Sequence, residues 1–168
     1  EYETGWYTGG YDLVEQPDGS TKRYYWAELP PAVVVVALTD GSVVFVEQYR
    51  PTVRRHHLEL PAGIVEEDET YVEAATRELR EETGYLADHV ELVQTYHVAT
   101  GVLRHERGVV VARDLEGGEP ARDTNEFLEV HLVDRDRAID RARAPPANDA
   151  SLSGLLLAKA EGHLESVR

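Results

Sequence analysis

The stretch between Gly63 and Gly84 constrains this chain most, because three of its glutamates fall within five residues. They are Glu78, Glu81 and Glu82. Residues three and four apart share one helix face, so Glu78 would face both others, and each like-charge pair would destabilise a helix by roughly 0.2–0.5 kcal/mol. Such a run usually marks a solvated helix face. The alternative is a site for a hard divalent cation, because carboxylate oxygens suit Mg²⁺ and Mn²⁺.

The flanking residues predict where this helix begins and ends. Thr70 and Glu73 form a capping-box pattern, so the helix should begin near Tyr71. Gly84 stands where the C-terminus of a helix favours a left-handed residue. Between these ends, an apolar stripe recurs at helical spacing and predicts the buried face. Its members are Val72, Ala75, Leu79 and Thr76.

One arginine in this helix has two predicted partners. Glu73 precedes Arg77 by four residues, which is the favourable order for an ion pair. Glu69 is the second expected partner, in a structural role. Upstream, Pro61-Ala62-Gly63 can bring backbone carbonyls close to a bound ion. The stretch is therefore predicted to form a strand, a loop and a helix, with the loop and one helix face holding metal.

The rest of the chain reads as strands with helices on either side, which predicts an α/β/α sandwich with a mixed sheet. Turn signals and alternating apolar residues separate the elements. The predicted strands cover 11–14, 21–29, 33–38, 43–48, 58–60, 90–98, 107–112 and 127–133. Helices are predicted over 134–143 and from 152 to about 166, the last capped by Asp149 or Ser151.

The spacing of the whole stretch resembles the Nudix hydrolase box. The pattern runs Gly63, five residues, Glu69, seven residues, then Arg77-Glu78-Leu79-x-Glu81-Glu82-x-Gly84. Tyr85 follows where an aliphatic residue is more usual. The resemblance implies the same sandwich fold and a metal-dependent pyrophosphohydrolase.

Segments outside the box resemble the ADP-ribose pyrophosphatase branch of that family. These segments are 46–50, 58–63, 125–130 and 148–151, together with an N-terminal strand pair ahead of the core, and the resemblance covers residues 11–160. It implies hydrolysis of ADP-ribose to AMP and ribose 5-phosphate. One departure weakens that substrate: many members carry a proline where this chain has Thr100-Gly101. Other nucleoside diphosphate sugars, dinucleoside polyphosphates and oxidised nucleoside triphosphates are the rival substrates.

The resemblance also implies which residues hold the metal, Mg²⁺ or Mn²⁺. Glu78 and Glu82, one turn apart, are the expected ligand pair. Glu81 is the third carboxylate, bound directly or through water, and the carbonyl of Ala62 is a further ligand. Arg77 is expected to orient the glutamates rather than to touch substrate.

The general base and the substrate contacts are predicted outside the box. In similar enzymes the base comes from a separate loop, so Glu126 is the first candidate and Glu129 the second; the alternative is that both are solvated acids. Arg50 is expected to grip a phosphate or ribose, with Glu59 supporting it. Alone, Arg50 could equally be an ordinary surface arginine.

Two tryptophans, Trp6 and Trp26, lie in the N-terminal segment. Aromatic faces can hold a nucleobase by stacking, and in similar dimeric enzymes such aromatics cradle adenine, partly from the partner subunit. Ordinary packing is the alternative.

We predict an N-terminal β element over 1–30 for dimerisation and base binding, a catalytic domain over 31–168, and a homodimer.

Composition excludes several function classes. The net charge of −15 argues against binding a nucleic-acid backbone. The chain has only two lysines among 17 basic residues, which favours a halophilic cytoplasmic protein over an acidic mesophilic one. No apolar run is long enough for a membrane span. A chain without cysteine disfavours the isopentenyl-diphosphate isomerases that share this fold, and intact glutamates disfavour a non-catalytic sensor.

Overall fold

A computed structural model describes residues 2–117 and 128–165 of the chain. Within those ranges the chain forms eleven strands and three α-helices. They are β1 (Tyr2–Glu3), β2 (Thr8–Glu15), β3 (Thr21–Glu28), β4 (Ala32–Ala37), β5 (Ser42–Arg50), β6 (Arg55–Glu59), β7 (Ala62–Ile64), α1 (Tyr71–Thr83), β8 (Tyr85–His97), β9 (Leu103–Arg104), β10 (Glu106–Gly117), β11 (Glu129–Asp134), α2 (Ala138–Arg143) and α3 (Asp149–Ala160). A 3₁₀ turn, Arg135–Arg137, leads into α2.

Two sheets form the centre of the molecule. One has the strand order β7-β4-β10-β8, with β4 and β10 parallel and the other pairs antiparallel. The second has the order β11-β5-β6 and is antiparallel throughout. The mixed strand directions agree with the predicted mixed sheet.

Each face of β4 packs into its own apolar core, which explains why its sequence is apolar throughout. Val34 and Val36 pack with α2 and α3, whereas Val33 and Val35 pack with α1. Strand β5 alternates in the same way: Phe45 lies on the α3 side. The layers are therefore α1, the sheets, and then α2 with α3, which is the predicted α/β/α sandwich.

A separate sheet of order β1-β2-β3-β9 is built from the N-terminal segment. Strand β9 comes from far along the chain and pairs in parallel with β3. Most large apolar side chains of this sheet are exposed, among them Tyr2, Tyr11 and Tyr25. The division at residue 30 stays a prediction.

Helix α1 begins and ends where the sequence predicts. Thr70 is its N-cap, with both hydrogen bonds of the capping box to Glu73 present, and Gly84 follows it with φ 78°. The predicted Glu73–Arg77 ion pair was wrong. The Glu73 carboxylate instead accepts from the backbone and hydroxyl of Thr70, and these hydrogen bonds hold the pKa of Glu73 below its ordinary value.

The C-terminal helix differs from the prediction at both ends. Asn148, not Asp149 or Ser151, is the N-cap of α3 and accepts from the backbone N–H of Ser151. Asp149 pairs with Arg107 instead, and the Ser151 hydroxyl accepts from the N–H of Leu60. The helix ends at Ala160 rather than running to about 166.

The start of the helix predicted over 134–143 and several strands also differ from the prediction: Asp134 ends β11, and α2 begins only at Ala138, after the 3₁₀ turn. Strands β1, β7 and β9, of two or three residues each, were not predicted. Strand β8 begins at Tyr85, separated from α1 only by Gly84, and not at residue 90. The predicted strand 127–133 begins at a residue outside the described ranges and corresponds to β11. None of the described helices has the length and apolar character to span a membrane.

Candidate active site

Strand β7 and helix α1 bring two carboxylates against one short stretch of backbone. The N–H of Ala62 donates to Glu82 Oε2 at 3.1 Å, and Glu82 is only 5% exposed. At the next residue, a Cβ added to Gly63 would lie 1.9 Å from Glu78 Oε1. Glu78 and Glu82 are one turn apart, so the same helix face meets both residues of β7.

Arg77 holds three glutamates at once. Its Nε and Nη2 donate to the two oxygens of Glu69 at 2.9 and 3.0 Å, and Nη2 also donates to the carbonyl of Ile64. Its Nη1 donates to Glu78 Oε1 at 2.7 Å and to Glu81 Oε2 at 3.1 Å. The predicted Glu69–Arg77 pair is therefore confirmed. The hydrogen bonds between the Arg77 guanidinium and the Glu69 carboxylate raise the pKa of Arg77 and lower the pKa of Glu69.

The donor set of this helix face fits a divalent cation in chemical type. Glu78, Glu81 and Glu82 supply hard carboxylate oxygens, and Gly63 leaves the space that the Glu78 carboxylate occupies. As placed, no three acids or histidines among residues 2–117 and 128–165 are gathered as a complete coordination group. Arg77 supplies the positive charge between Glu78 and Glu81, so an ion would share these two carboxylates with it.

Arg50 is held by a buried carboxylate, that of Glu59. Glu59 Oε2 accepts from Arg50 Nη2 at 2.5 Å, from Arg50 Nε at 3.0 Å and from Gln48 Nε2 at 3.3 Å. Glu59 is buried and lies three residues before Ala62 along the chain. The predicted contact between Glu59 and Arg50 is confirmed, while the substrate role of Arg50 stays a prediction.

Comparison with known proteins decides the family. Residues 28–153 match the NUDIX domain. The chain belongs to the Nudix family. Over 140 residues it is 34% identical to the ADP-ribose pyrophosphatase of Bacillus subtilis (strain 168), covering 82% of this chain and 76% of that protein. Over 131 residues it is 34% identical to the methanol dehydrogenase activator of Bacillus methanolicus, covering 76% and 71%.

A solved structure confirms the Nudix-type sandwich. The crystal structure of an ADP compounds hydrolase superposes with a TM-score of 0.85 over 97% of this chain and 92% of that one, at 24% identity. The family match and the complete box together identify this Nudix protein as a pyrophosphatase, which confirms the predicted enzyme class. Members of this family generally use divalent metals, in keeping with the donor set above.

The two candidates for the general base of this Nudix protein have different positions. Glu126 lies outside the described residues. Glu129 opens β11 and pairs across the strands with Glu47. Its neighbour Val130 faces the α1 core, so alternation turns Glu129 to the opposite face of the sheet. The structure therefore does not bring Glu129 to the carboxylates of α1.

The two tryptophans belong to the N-terminal segment that builds the separate sheet. Trp6 is 75% exposed, between β1 and β2. Trp26 is half-buried on β3, and the guanidinium of Arg104 lies 3.9 Å from the centroid of its ring. Arg104 also pairs with Asp12 on β2. One face of Trp26 is thus covered within the chain, whereas Trp6 presents most of its surface.

Sequence reasoning missed the polar group around Glu59. Gln48 donates to Glu59, and His57 is buried on the same strand face with Nδ1 3.8 Å from Glu59 Oε1. The two-residue period of β6 could have paired His57 with Glu59. The register that places Gln48 opposite His57 could not be known without the fold.

Proposed function

We propose that this protein hydrolyses ADP-ribose to AMP and ribose 5-phosphate with Mg²⁺ or Mn²⁺. The observation that carries the proposal is the convergence of Glu78 and Glu82 on the backbone of Ala62 and Gly63. The name of the Bacillus subtilis relative, ADP-ribose pyrophosphatase, supports the substrate. The departure at Thr100-Gly101 leaves other nucleoside diphosphate sugars as the second candidate substrates.

In this proposal the carboxylates of α1 bind the metal and Arg77 orients two of them. Glu78, Glu81, Glu82 and the carbonyl of Ala62 would hold the cation, which would neutralise charge on the diphosphate and lower the pKa of bound water. Arg77 fixes the orientation of Glu78 and Glu81 through its hydrogen bonds. That support keeps the carboxylates in place between turnovers.

Arg50 binds the substrate, and the general base acts on the attacking water. The net charge of −15 repels a diphosphate, so a local arginine has to offset that field. Glu59 holds Nε and Nη2 of Arg50, which leaves Nη1 for a phosphate or ribose oxygen. Glu126 takes a proton from the water whose oxygen attacks one phosphorus, the bridging P–O bond breaks, and the other phosphate leaves as a monoester.

A substrate panel tests the proposal. We expect ADP-ribose to give the highest kcat/KM among nucleoside diphosphate sugars, dinucleoside polyphosphates and oxidised nucleoside triphosphates, with AMP and ribose 5-phosphate separated by chromatography. Chelation of the metal should abolish turnover. A preference for an oxidised triphosphate would contradict the substrate, and no hydrolysis of any compound would support a non-catalytic domain. The panel is run at low and at molar salt, because we also propose a high-salt cytoplasm for this acidic chain.

Replacing the first base candidate should slow the chemical step. We expect Glu126→Gln to lower kcat by roughly 10²-fold or more, the scale of general acid–base catalysis, with little change in metal affinity. Glu129→Gln is the matched control, because Glu129 lies on the sheet face opposite α1. If Glu129→Gln slows turnover and Glu126→Gln does not, the order of the two candidates is reversed.

We also propose a homodimer joined through residues 1–30. The N-terminal sheet supports it, since aromatic side chains cluster there in exposed positions: Tyr2, Trp6, Tyr7, Tyr11, Tyr24 and Tyr25. Light scattering in molar salt should give twice the chain mass of 18.8 kDa. Particles of the single-chain mass alone would contradict the dimer.

If the tryptophans stack on the base, their loss should weaken binding more than chemistry. We expect Trp6→Ala and Trp26→Ala each to raise KM for ADP-ribose by about 5- to 100-fold, the equivalent of about 1–3 kcal/mol per stack. The kcat should change less, because the base is remote from the breaking bond. Trp6→Phe, which keeps an aromatic face, should lose less. An unchanged KM with unchanged tryptophan fluorescence on adding AMP would assign both rings to packing.

A further inference from the structure

The turn end of the β5–β6 hairpin is basic, although the chain as a whole is strongly acidic. Residues 49–57 contain three arginines, two histidines and no acidic residue, whereas the whole chain carries a net charge of −15. Arg54 and Arg55 are exposed, and the side chain of Arg50 is 42% exposed. A local positive patch attracts anions in a protein whose overall field repels them. The hairpin is therefore a place where an anionic ligand can approach this chain.

Two of these arginines lie directly opposite each other on one face of the hairpin. The strand register pairs Arg50 on β5 with Arg55 on β6. Side chains alternate along a strand, so Arg50 is on the same side as Val44, which packs into the core with α1. Leu58 on β6 packs into the opposite core, with α2 and α3. The arginine pair therefore faces the side of the sheet that carries α1.

The positive charge of the arginine pair is only partly balanced. Glu59 accepts from Nε and Nη2 of Arg50, which leaves Nη1 available. In the part of the chain that the structure describes, no carboxylate pairs with Arg55. Like charges directly opposite each other on neighbouring strands are destabilising. An anion that contacts both guanidinium groups would offset this repulsion, and phosphate suits them because its oxygens match the guanidinium donors in geometry.

A buried imidazole on the same face also lacks a partner. His57 is 8% exposed, and neither of its ring nitrogens has a hydrogen bond to another described residue. Its Nδ1 lies 3.8 Å from Glu59 Oε1, which is too long for a hydrogen bond. A buried polar group without a partner costs about 1–3 kcal/mol. This face of the hairpin is therefore not arranged for stability alone, which is typical of a binding site.

We propose that Arg55, together with Arg50, binds the diphosphate of the nucleotide substrate. This inference rests on the proposed function, because it takes the substrate of that site as the occupant. Charge complementarity favours a diphosphate, since each of its two phosphates carries a negative charge and each arginine a positive one. The phosphates are charged in the substrate as well as in the transition state. Arg55 therefore contributes mainly uniform binding, and its loss should raise KM more than it lowers kcat.

Calorimetry of ADP-ribose binding after removal of the metal measures this contact without turnover. We expect Arg55→Gln to weaken binding at low salt by about 10-fold, the scale of one charge-assisted hydrogen bond. Arg55→Lys keeps the charge but not the planar fork, so it should recover part of the affinity. Arg54→Gln is the matched control, because it removes the same charge from the exposed turn outside β6 and should bind ADP-ribose like the native chain.

Three results would overturn the proposal. They are equal affinity of the native chain and Arg55→Gln, equal losses in Arg55→Gln and Arg54→Gln, and no binding by the metal-free native chain. Equal losses would indicate a diffuse field of the hairpin rather than a contact of Arg55. The substrate panel is a separate test. Weaker ADP-ribose binding by Arg55→Gln in a chain that does not hydrolyse ADP-ribose would support Arg55 and contradict the proposed function. Hydrolysis of ADP-ribose with unchanged affinity in Arg55→Gln would contradict the role of Arg55 alone.

Discussion

Glu82→Gln should remove at least nine-tenths of kcat while leaving the fold intact. Glu82 is buried, and its Oε2 accepts from the N–H of Ala62 at 3.1 Å. The glutamine oxygen can accept the same hydrogen bond, so the substitution removes a charge and little packing. A neutral amide is also easier to bury than a carboxylate, so the free energy of unfolding should not fall. Steady-state kinetics and thermal unfolding measure the two effects separately.

Glu67→Gln is the matched control for that charge. Glu67 belongs to the same box but is exposed in the loop before α1. We expect it to keep nearly full activity, which would show that the effect at Glu82 does not come from the net charge alone. A Glu82→Gln variant with more than a tenth of the native kcat has lost less than about 1.4 kcal/mol of transition-state stabilisation. That outcome would remove Glu82 from the metal ligands.

Features set by neighbours in sequence were predictable. The capping box of Thr70 and Glu73, the left-handed Gly84 and the Arg77–Glu69 pair all lie within one helix and its entrance. Two local patterns involved Glu73, the capping box with Thr70 and the ion pair with Arg77. In the structure Glu73 hydrogen-bonds to Thr70. Choosing between them requires the side-chain geometry, which helical spacing alone does not give.

Features set by distant parts of the chain were not predictable. Strand β7 has three residues and exists through its pairing with β4. Asn148 rather than Asp149 caps α3, because Asp149 is engaged by Arg107 from β10. The position of Glu129 opposite Glu47 depends on the register of β11 against β5, and a shift of one residue would turn Glu129 to the other face. The sequence alone specifies none of these pairings.

Gly63→Ala should lower kcat/KM by about 10²-fold, the cost of misplacing a catalytic group by about 1 Å. The new Cβ would lie 1.9 Å from Oε1 and 2.0 Å from Cδ of Glu78, so that carboxylate has to move. It would then leave Arg77 Nη1, now 2.7 Å away, and lose its place beside Glu82. The displaced group is the end of a flexible side chain, so stability should fall much less than activity.

Gly101→Ala is the control for the loss of a glycine, because its added Cβ would meet nothing within 4 Å. We expect kcat/KM and the unfolding temperature of that variant to match those of the native chain. In Gly63→Ala, calorimetry should show weaker Mg²⁺ or Mn²⁺ binding, since Glu78 is a proposed ligand. Full metal affinity together with more than a tenth of the native kcat/KM would mean that Glu78 functions equally well away from Gly63. The close approach of β7 to α1 would then serve packing, and the metal would be held by the other carboxylates of the helix.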